Sequence, residues 1–266
     1  MRIRALTWIA FLGMIRNKLI ILFFAIFVCV VLFMMTPIAA LKAMAADNRA
    51  QGEATILSLI SVILSMMSGF GSLLSAWSAA DAVASEMKTG VAMAVMARPV
   101  RRWEFLLAKY LGVQMLMAVY VILMFAMTNV LAWMSGERLI TNPWVLLVYP
   151  MVRYGIYSAA AIWLVTVMHP VFAFVIVMFG SMIAGMVSPS SMGLAFLPEW
   201  LRRGLFVLLP SVDLLSEDRF LAITAAKLQQ TPWTEHLTGL AYGLDYALLC
   251  LLLAFWAFRR RSLTRE

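Results

Sequence analysis

The chain has 266 residues, of which 64% are hydrophobic and 13% are charged, and its formal net charge is +8. A soluble domain is about 45–50% apolar and about 25% charged. The mean hydropathy of +0.93 therefore excludes a soluble enzyme, a disordered chain and a disulfide-stapled secreted domain, and predicts an all-α integral membrane protein.

The chain begins with a predicted interfacial helix over residues 1–18. Leu6, Ile9 and Leu12 recur at helical spacing, and basic residues flank the segment. Such flanks hold an apolar helix at the surface of a membrane. The apolar run that follows is longer than the 7–15 residues or so of a signal-peptide core, so we expect an uncleaved span.

Six segments have the length and composition of membrane spans. A helix needs about 20 mainly apolar residues to cross about 30 Å of hydrocarbon. We therefore expect one transmembrane domain over residues 1–266 with six transmembrane helices. The predicted spans cover residues 19–41, 54–77, 105–134, 144–168, 170–187 and 237–258.

The distribution of charge predicts the orientation. The amino-terminal segment, the loop at 78–104 with its flanks, and the tail at 259–266 are rich in Lys and Arg, whereas the segment at 188–236 is net acidic. Loops that stay in the cytoplasm collect basic residues. Both termini are thus expected to be cytoplasmic in a bacterial inner membrane, and the positive charge needs no nucleic-acid partner.

The extracytoplasmic segment at 188–236 has helical signals of its own. Residues 198–209 form a candidate amphipathic helix, and Ser216 could cap a second helix that ends near Lys227. Thr231-Pro232 would begin another helix, since proline is favoured at the first helical position. Short outer helices are therefore expected before the sixth span.

The loop at 78–104 is more elaborate than a connection requires. A helix through Glu86, a break at Gly90, a short apolar helix at 91–96, and Pro99 before a basic cluster would form a compact element. A solvated basic loop would explain the charge but not the apolar helix. The pattern favours a loop that docks on a partner.

The same loop resembles the membrane subunits of type-2 ABC export systems. In that family it typically reads acid, Gly-Thr, two leucines, Pro-Val-Ser-Arg and then Leu-Leu-Gly-Lys. The matching residues are Glu86, Thr89-Gly90, Arg98-Pro99-Val100-Arg101-Arg102 and Leu106-Leu107-Ala108-Lys109-Tyr110-Leu111-Gly112. The departures are Val91 after the glycine, Ala94-Val95-Met96 at the leucines, Arg101 at the serine and Ala108 at the last glycine.

The resemblance implies a division of labour between two kinds of chain. The loop would form a coupling helix seated in a groove of a separate cytoplasmic ABC ATPase subunit, which would bind ATP and Mg. The membrane chain would bind no cofactor itself and would pair with a second copy or a similar chain. The residues expected to shape or anchor the coupling loop are Glu86, Gly90, Pro99, Arg101, Arg102 and Lys109. The sequence contains no GxxxxGK[ST] phosphate loop, so ATP hydrolysis is expected in the partner.

A row of serines follows one face of the second predicted span. Hydroxyls on one face let helices approach closely and form hydrogen bonds across their interface, so helix packing is one interpretation. A mildly polar translocation route between two copies is the other. The serines are Ser58, Ser61, Ser65, Ser68, Ser72 and Ser75.

Two ionisable residues lie inside predicted spans. Arg153 is nine residues into the fourth span and Asp245 eight residues into the sixth, both counted from the outer end. At about 1.5 Å per residue both lie roughly 12–14 Å deep, so an ion pair between them is one hypothesis. The alternative is that the spans start later and both side chains reach the interface.

No catalytic or metal-binding motif is present in the sequence. His169 and His236 stand alone, without the ligand spacing of a zinc site. A lipid-modifying membrane enzyme would need such a constellation and is therefore disfavoured. A scaffold that uses an ATPase partner without transporting cargo stays open beside an exporter that moves its substrate across the membrane or between leaflets.

Overall fold

The computed structural model describes residues 2–44, 49–89, 101–135, 143–187, 198–209, 215 and 233–260. Within these ranges the chain is entirely helical and contains no strand. The helices are α1 (Arg2–Ile15), α2 (Lys18–Met44), α3 (Arg49–Thr89), α4 (Arg102–Ser135), α5 (Pro143–Val167), α6 (Pro170–Val187), α7 (Glu199–Leu208) and α8 (Trp233–Arg260).

Three of these helices are long and apolar enough to cross a membrane. They are represented by Val62–Met87 of α3, Arg102–Val130 of α4 and Leu237–Arg260 of α8. The pair α1 and α2, bent by 63° at its break, would make a fourth if it forms one broken span, and α6 is a shorter apolar helix. The described residues thus confirm the helical fold and contain helices suited to a membrane, and the count of six spans stays a prediction.

Helix α3 confirms the helix expected through Glu86, and it ends at Thr89. It joins the predicted second span to this helix without interruption at residue 77. The α4 helix begins at Arg102 rather than at residue 105. Its start is fixed locally, because the Arg101 backbone N–H donates to Glu104 Oε2 at 3.0 Å, which is one half of a capping box.

The core forms where α3, α4 and α5 meet. Tyr120 and Tyr154 are fully buried there, with their rings in an edge-to-face contact at 6.0 Å. The Tyr120 hydroxyl donates to the Met67 carbonyl at 2.5 Å. A Cβ atom at Gly71 would overlap the Tyr154 hydroxyl. Glycine at this position therefore lets α3 approach α5.

The amino-terminal helix lies across α4. A Cβ atom at Gly112 would lie 2.9 Å from the Ala10 Cβ atom, so this glycine permits the crossing. On α1, Phe11 faces the core while Trp8 and Ile9 are exposed. The predicted helix at the amino terminus is confirmed as a helix, and its interfacial position stays a prediction.

The segment before α8 is anchored to the bundle at two points. The candidate helix at 198–209 is confirmed as α7, and Leu209 at its end lies 3.5 Å from a Cβ placed at Gly180 of α6. Leu215 is fully buried beside Gly243 of α8. The expected helices that begin at Ser216 and at Thr231-Pro232 lie outside the described residues.

Candidate functional site at the basic end of the bundle

Five junctions of the chain meet at one end of the bundle. They are the turn between α1 and α2, the end of α3, the start of α4, the turn between α5 and α6, and the end of α8. We call this the basic end, because its junctions carry Arg16, Lys18, Arg101, Arg102, Lys109, Arg259 and Arg260.

Asn17 fixes the turn between α1 and α2 to α3. Its side-chain oxygen accepts a hydrogen bond from the Leu19 backbone N–H at 3.1 Å, which caps α2. Its Nδ2 donates to Asp81 Oδ2 at 2.7 Å. One short amide side chain therefore sets the start of α2 and positions it against the neighbouring helix.

Glu86 and Lys109 join α3 to α4. Their carboxylate and ammonium form an ion pair, and the Lys109 side chain is 9% exposed against 24% for Glu86. The ammonium also lies 5.7 Å from the centroid of the Phe105 ring. Two of the six residues that the resemblance assigned to the coupling loop thus bind each other within the chain.

Arg102 joins the start of α4 to the end of α8. Its Nη1 donates to the backbone carbonyls of Phe258 and Arg259, each at 3.2 Å. One turn later, the Phe105 ring stacks on Phe258 with a centroid distance of 6.1 Å and an interplanar angle of 14°. The structure therefore directs this guanidinium into the bundle, whereas the side chain of Arg101 is exposed.

The middle of the predicted coupling loop lies outside the described residues. This applies to Gly90, to the apolar stretch at 91–96 and to Pro99. The described flanks are Glu86 on one side and Arg101, Arg102 and Lys109 on the other. The expected coupling helix itself stays a prediction.

Two open clefts flank the end of α3. One, of about 320 Å³, lies between α1, α3 and α4 and is lined in part by Arg16, Asn17, Asp81, Glu86 and Lys109. The other, of about 430 Å³, lies between α3 and the turn from α5 to α6, and its lining side chains are apolar apart from His169. The surfaces of the two clefts nevertheless have similar shares of polar atoms.

Three of the predicted serines pack inside the chain. Ser68, Ser72 and Ser75 are buried, and Ser75 Oγ donates to the Tyr154 carbonyl of α5 at 2.7 Å. Ser65 is exposed, and the side chains of Ser58 and Ser61 lie outside the description. The buried positions support the packing interpretation.

Sequence reasoning missed the next member of this series. Ser78 follows Ser75 at the same spacing, is fully buried and donates to the Ser75 carbonyl at 3.2 Å. The continued spacing of three residues was the available signal. The polar face therefore extends toward the basic end.

The structure does not bring Arg153 and Asp245 together. Arg153 Nη2 lies 3.4 Å from Ser72 Oγ of α3. Asp245 is exposed on α8, and its side chain makes no ion pair within the described residues. Sequence position predicted the depth of each residue in its span but not the face of the helix on which it lies. In the structure, Arg153 of α5 and Asp245 of α8 lie on faces that do not bring them together.

The contacts described at the basic end hold helices of the chain together. The described part of the chain holds no group of three or more His, Cys, Asp and Glu side chains that could bind a metal ion. His169 Nδ1 lies 3.4 Å from the Val171 N–H at the start of α6, in the position of a helix cap. The links from Asn17, Lys109 and Arg102 instead tie α2, α3, α4 and α8 to one another.

Comparison with known proteins places the chain in a family. No curated protein gives a significant match. A family model described as "Protein of unknown function (DUF2705)" matches residues 22–264. The match covers most of the sequence, and the chain therefore belongs to the DUF2705 family.

Proposed function

We propose that this chain is the membrane subunit of an ATP-binding-cassette exporter. It would move its substrate across the membrane or between leaflets, using ATP hydrolysed by a separate ATPase subunit. The ATPase would dock at the basic end, on the cytoplasmic side of a bacterial inner membrane. The resemblance of Glu86 to Gly112 to the coupling loop of type-2 ABC exporters supports this function.

The observation that carries the proposal is the bracing of both flanks of residues 90–100. Glu86 lies just before this segment and binds Lys109 of α4, while Arg102 lies just after it and binds the end of α8. A loop that only connects two helices needs no such attachments. A loop that receives force from a partner does, because force passes only through rigid contacts to packed elements.

The charge and shape of this end also fit a protein partner. Arg16 and Lys109 line one of the two clefts at this end, and Arg101 is exposed at the start of α4. The same basic excess predicts a cytoplasmic location for both termini. The basic residues at this end therefore support both the docking of the ATPase and the cytoplasmic location of the two termini.

A second membrane chain, identical or similar, would complete the exporter. The buried serines of α3 are occupied by packing against α5, so the seam between two chains would use other surfaces. Within the predicted serine row, and among its members with described side chains, Ser65 is the exposed one.

Co-purification tests the proposal. The chain would be co-expressed with an ATPase encoded in an adjacent reading frame, and the complex would be isolated from detergent-solubilised membranes. Arg101→Glu is expected to reduce recovery of the ATPase at least about tenfold, the scale of one interfacial charge contact. Arg203→Glu, the same charge reversal in α7, is the matched control.

Three outcomes would contradict the proposed function. One is a chain that binds no ATPase, and another is equal recovery with wild type and Arg101→Glu. The third is a complex that hydrolyses ATP in proteoliposomes but moves no cargo or lipid, which would favour a scaffold. Lipid modification by the isolated chain would instead identify an enzyme.

A further inference from the structure

We propose that Arg102 is a positioning residue that makes α8 move with the start of α4, so that the loop at 90–100 drives the last helix as well as α3 and α4. Its role in energy transfer rests on the proposed function. The link between α4 and α8 can be measured without it.

The polar half of the link is a pair of hydrogen bonds to the backbone of α8. The carbonyls of Phe258 and Arg259 lie in the last described turn of this helix, which runs to Arg260. Arg102 Nη1 donates to both carbonyls. A cation is also favoured at this end by the helix dipole. A side chain of α4 therefore holds the last described turn of α8.

The apolar half of the link is the stack of Phe105 on Phe258. Both rings are buried, with 2% and 0% of their surface exposed. Phe105 lies one turn after Arg102 on α4, and Phe258 supplies both the ring and one of the accepted carbonyls. Two contacts at one place restrain the rotation of α8 as well as its distance from α4.

The basic residues around Arg102 do not share this role. Arg260, in the last turn of α8, lies over the Trp256 ring of its own helix at 3.9 Å. The Arg101 side chain is exposed. Among the described basic residues at this end, Arg102 is therefore the one whose side chain the structure shows joining α4 to α8.

The position of this link predicts which helices would move when residues 90–100 are displaced. Lys109 attaches α4 to Glu86 of α3, and Arg102 attaches α4 to α8. The α8 helix in turn makes its most extensive contacts with α5. A push at 90–100 would therefore move α3, α4 and α8 together and act on α5 through α8.

Hydrogen exchange of the full chain in nanodiscs tests the link directly. Mass spectrometry would follow the amides of residues 256–260 in wild type, Arg102→Gln, Arg102→Lys and Arg101→Gln. Loss of the Arg102 hydrogen bonds in Arg102→Gln is expected to speed exchange there about tenfold, the effect of losing one charge-assisted hydrogen bond. Arg102→Lys keeps a donor of similar reach, and Arg101→Gln removes the same charge next door, so both should exchange close to wild type.

The results that would overturn the link are equally specific. They are unchanged exchange in Arg102→Gln, equally fast exchange in Arg101→Gln, or exchange in Arg102→Lys as fast as in Arg102→Gln. None of these measurements needs an ATPase. If no ATPase binds the chain, the proposed function is contradicted. The exchange measurements still decide whether Arg102 links α4 to α8.

With the ATPase present, measurements of assembly and of transport distinguish the role of Arg102 from that of Arg101. Arg102→Gln is expected to bind the ATPase like wild type and to lose at least about tenfold of ATP-driven transport, matching the loss of one charge-assisted contact. Arg101→Gln should instead weaken assembly. An equal loss of assembly in both variants would make Arg102 an ATPase contact and overturn its positioning role.

Discussion

The Lys109 ammonium binds the Glu86 carboxylate across 23 positions of sequence, and this ion pair joins α4 to α3 beside the loop at 90–100. Lys109 is nearly buried and Glu86 is mostly so. Residues 90–100 connect the end of α3 to the start of α4. The ion pair therefore holds the two ends of this segment at a fixed distance from each other.

Removal of one charge of this pair should destabilise the protein. Glu86→Gln leaves the Lys109 ammonium buried without a carboxylate partner, and we expect the free energy of unfolding to fall by about 2–4 kcal/mol, somewhat less than for a fully buried pair. Unfolding in mixed micelles, followed by circular dichroism, measures this change.

The exchanged pair Glu86→Lys with Lys109→Glu should recover part of that loss, since the charges can meet again. Lys18→Gln, at an exposed residue of the same end, is the neutral control. Equal stability of wild type and Glu86→Gln would mean that the ion pair does not hold α3 to α4.

The close approach of α3 to α5 can be tested with two glycines of one helix. Gly71→Ala should destabilise the protein by about 1–3 kcal/mol, because the new methyl group overlaps the Tyr154 hydroxyl and overpacks the core. At Gly69 nothing lies within 4 Å of an added Cβ. Gly69→Ala should therefore raise stability by up to about 1 kcal/mol through helix propensity. Thermal unfolding of both variants decides the matter, and the opposite order would contradict this packing.

The serine face gives a prediction that separates packing from transport. Ser75→Ala removes a buried hydrogen bond to the Tyr154 carbonyl and should cost about 0.5–1.5 kcal/mol of unfolding free energy. Ser65→Ala, at the exposed end of the described series, should leave stability unchanged. If Ser75→Ala altered transport while stability stayed at the wild-type value, the packing interpretation would be wrong.

Asn17 should stabilise the turn between α1 and α2 in two separable ways. Asn17→Ala loses the cap of α2 and the bond to Asp81, with an expected cost of about 1–3 kcal/mol. Asn17→Ser keeps a capping oxygen but loses the amide donor to Asp81, and its stability should fall in between. Chemical unfolding of the three proteins measures both steps. Identical stability of the serine and alanine variants would show that the cap contributes nothing.

Composition and local signals predicted much of the helical architecture. The apolar run at 237–258 lies within α8, Pro170 begins α6, and the amphipathic stretch at 198–209 contains α7. These elements depend on the spacing of apolar residues and on proline, which act over a few positions of sequence. A single chain therefore carries enough information to locate them.

The candidate site was harder to predict, because its contacts join distant parts of the chain. The sequence predicted a helix through Glu86, but it gave no sign that Asp81 is bound by Asn17 of the turn between α1 and α2, or that Glu86 is bound by Lys109 of α4. Depth placed Arg153 level with Asp245, but depth does not specify a helix face, and Arg153 lies against Ser72 instead. The role of Arg102 depends on carbonyls about 156 positions away, which no local pattern reveals.

ATP hydrolysis by the separated and recombined proteins tests the proposed division of labour most directly. The purified chain should hydrolyse no ATP, and the ATPase should be stimulated when the chain is present in proteoliposomes. Arg101→Glu in the chain should abolish that stimulation. Hydrolysis or transport by the chain without any partner would contradict the account.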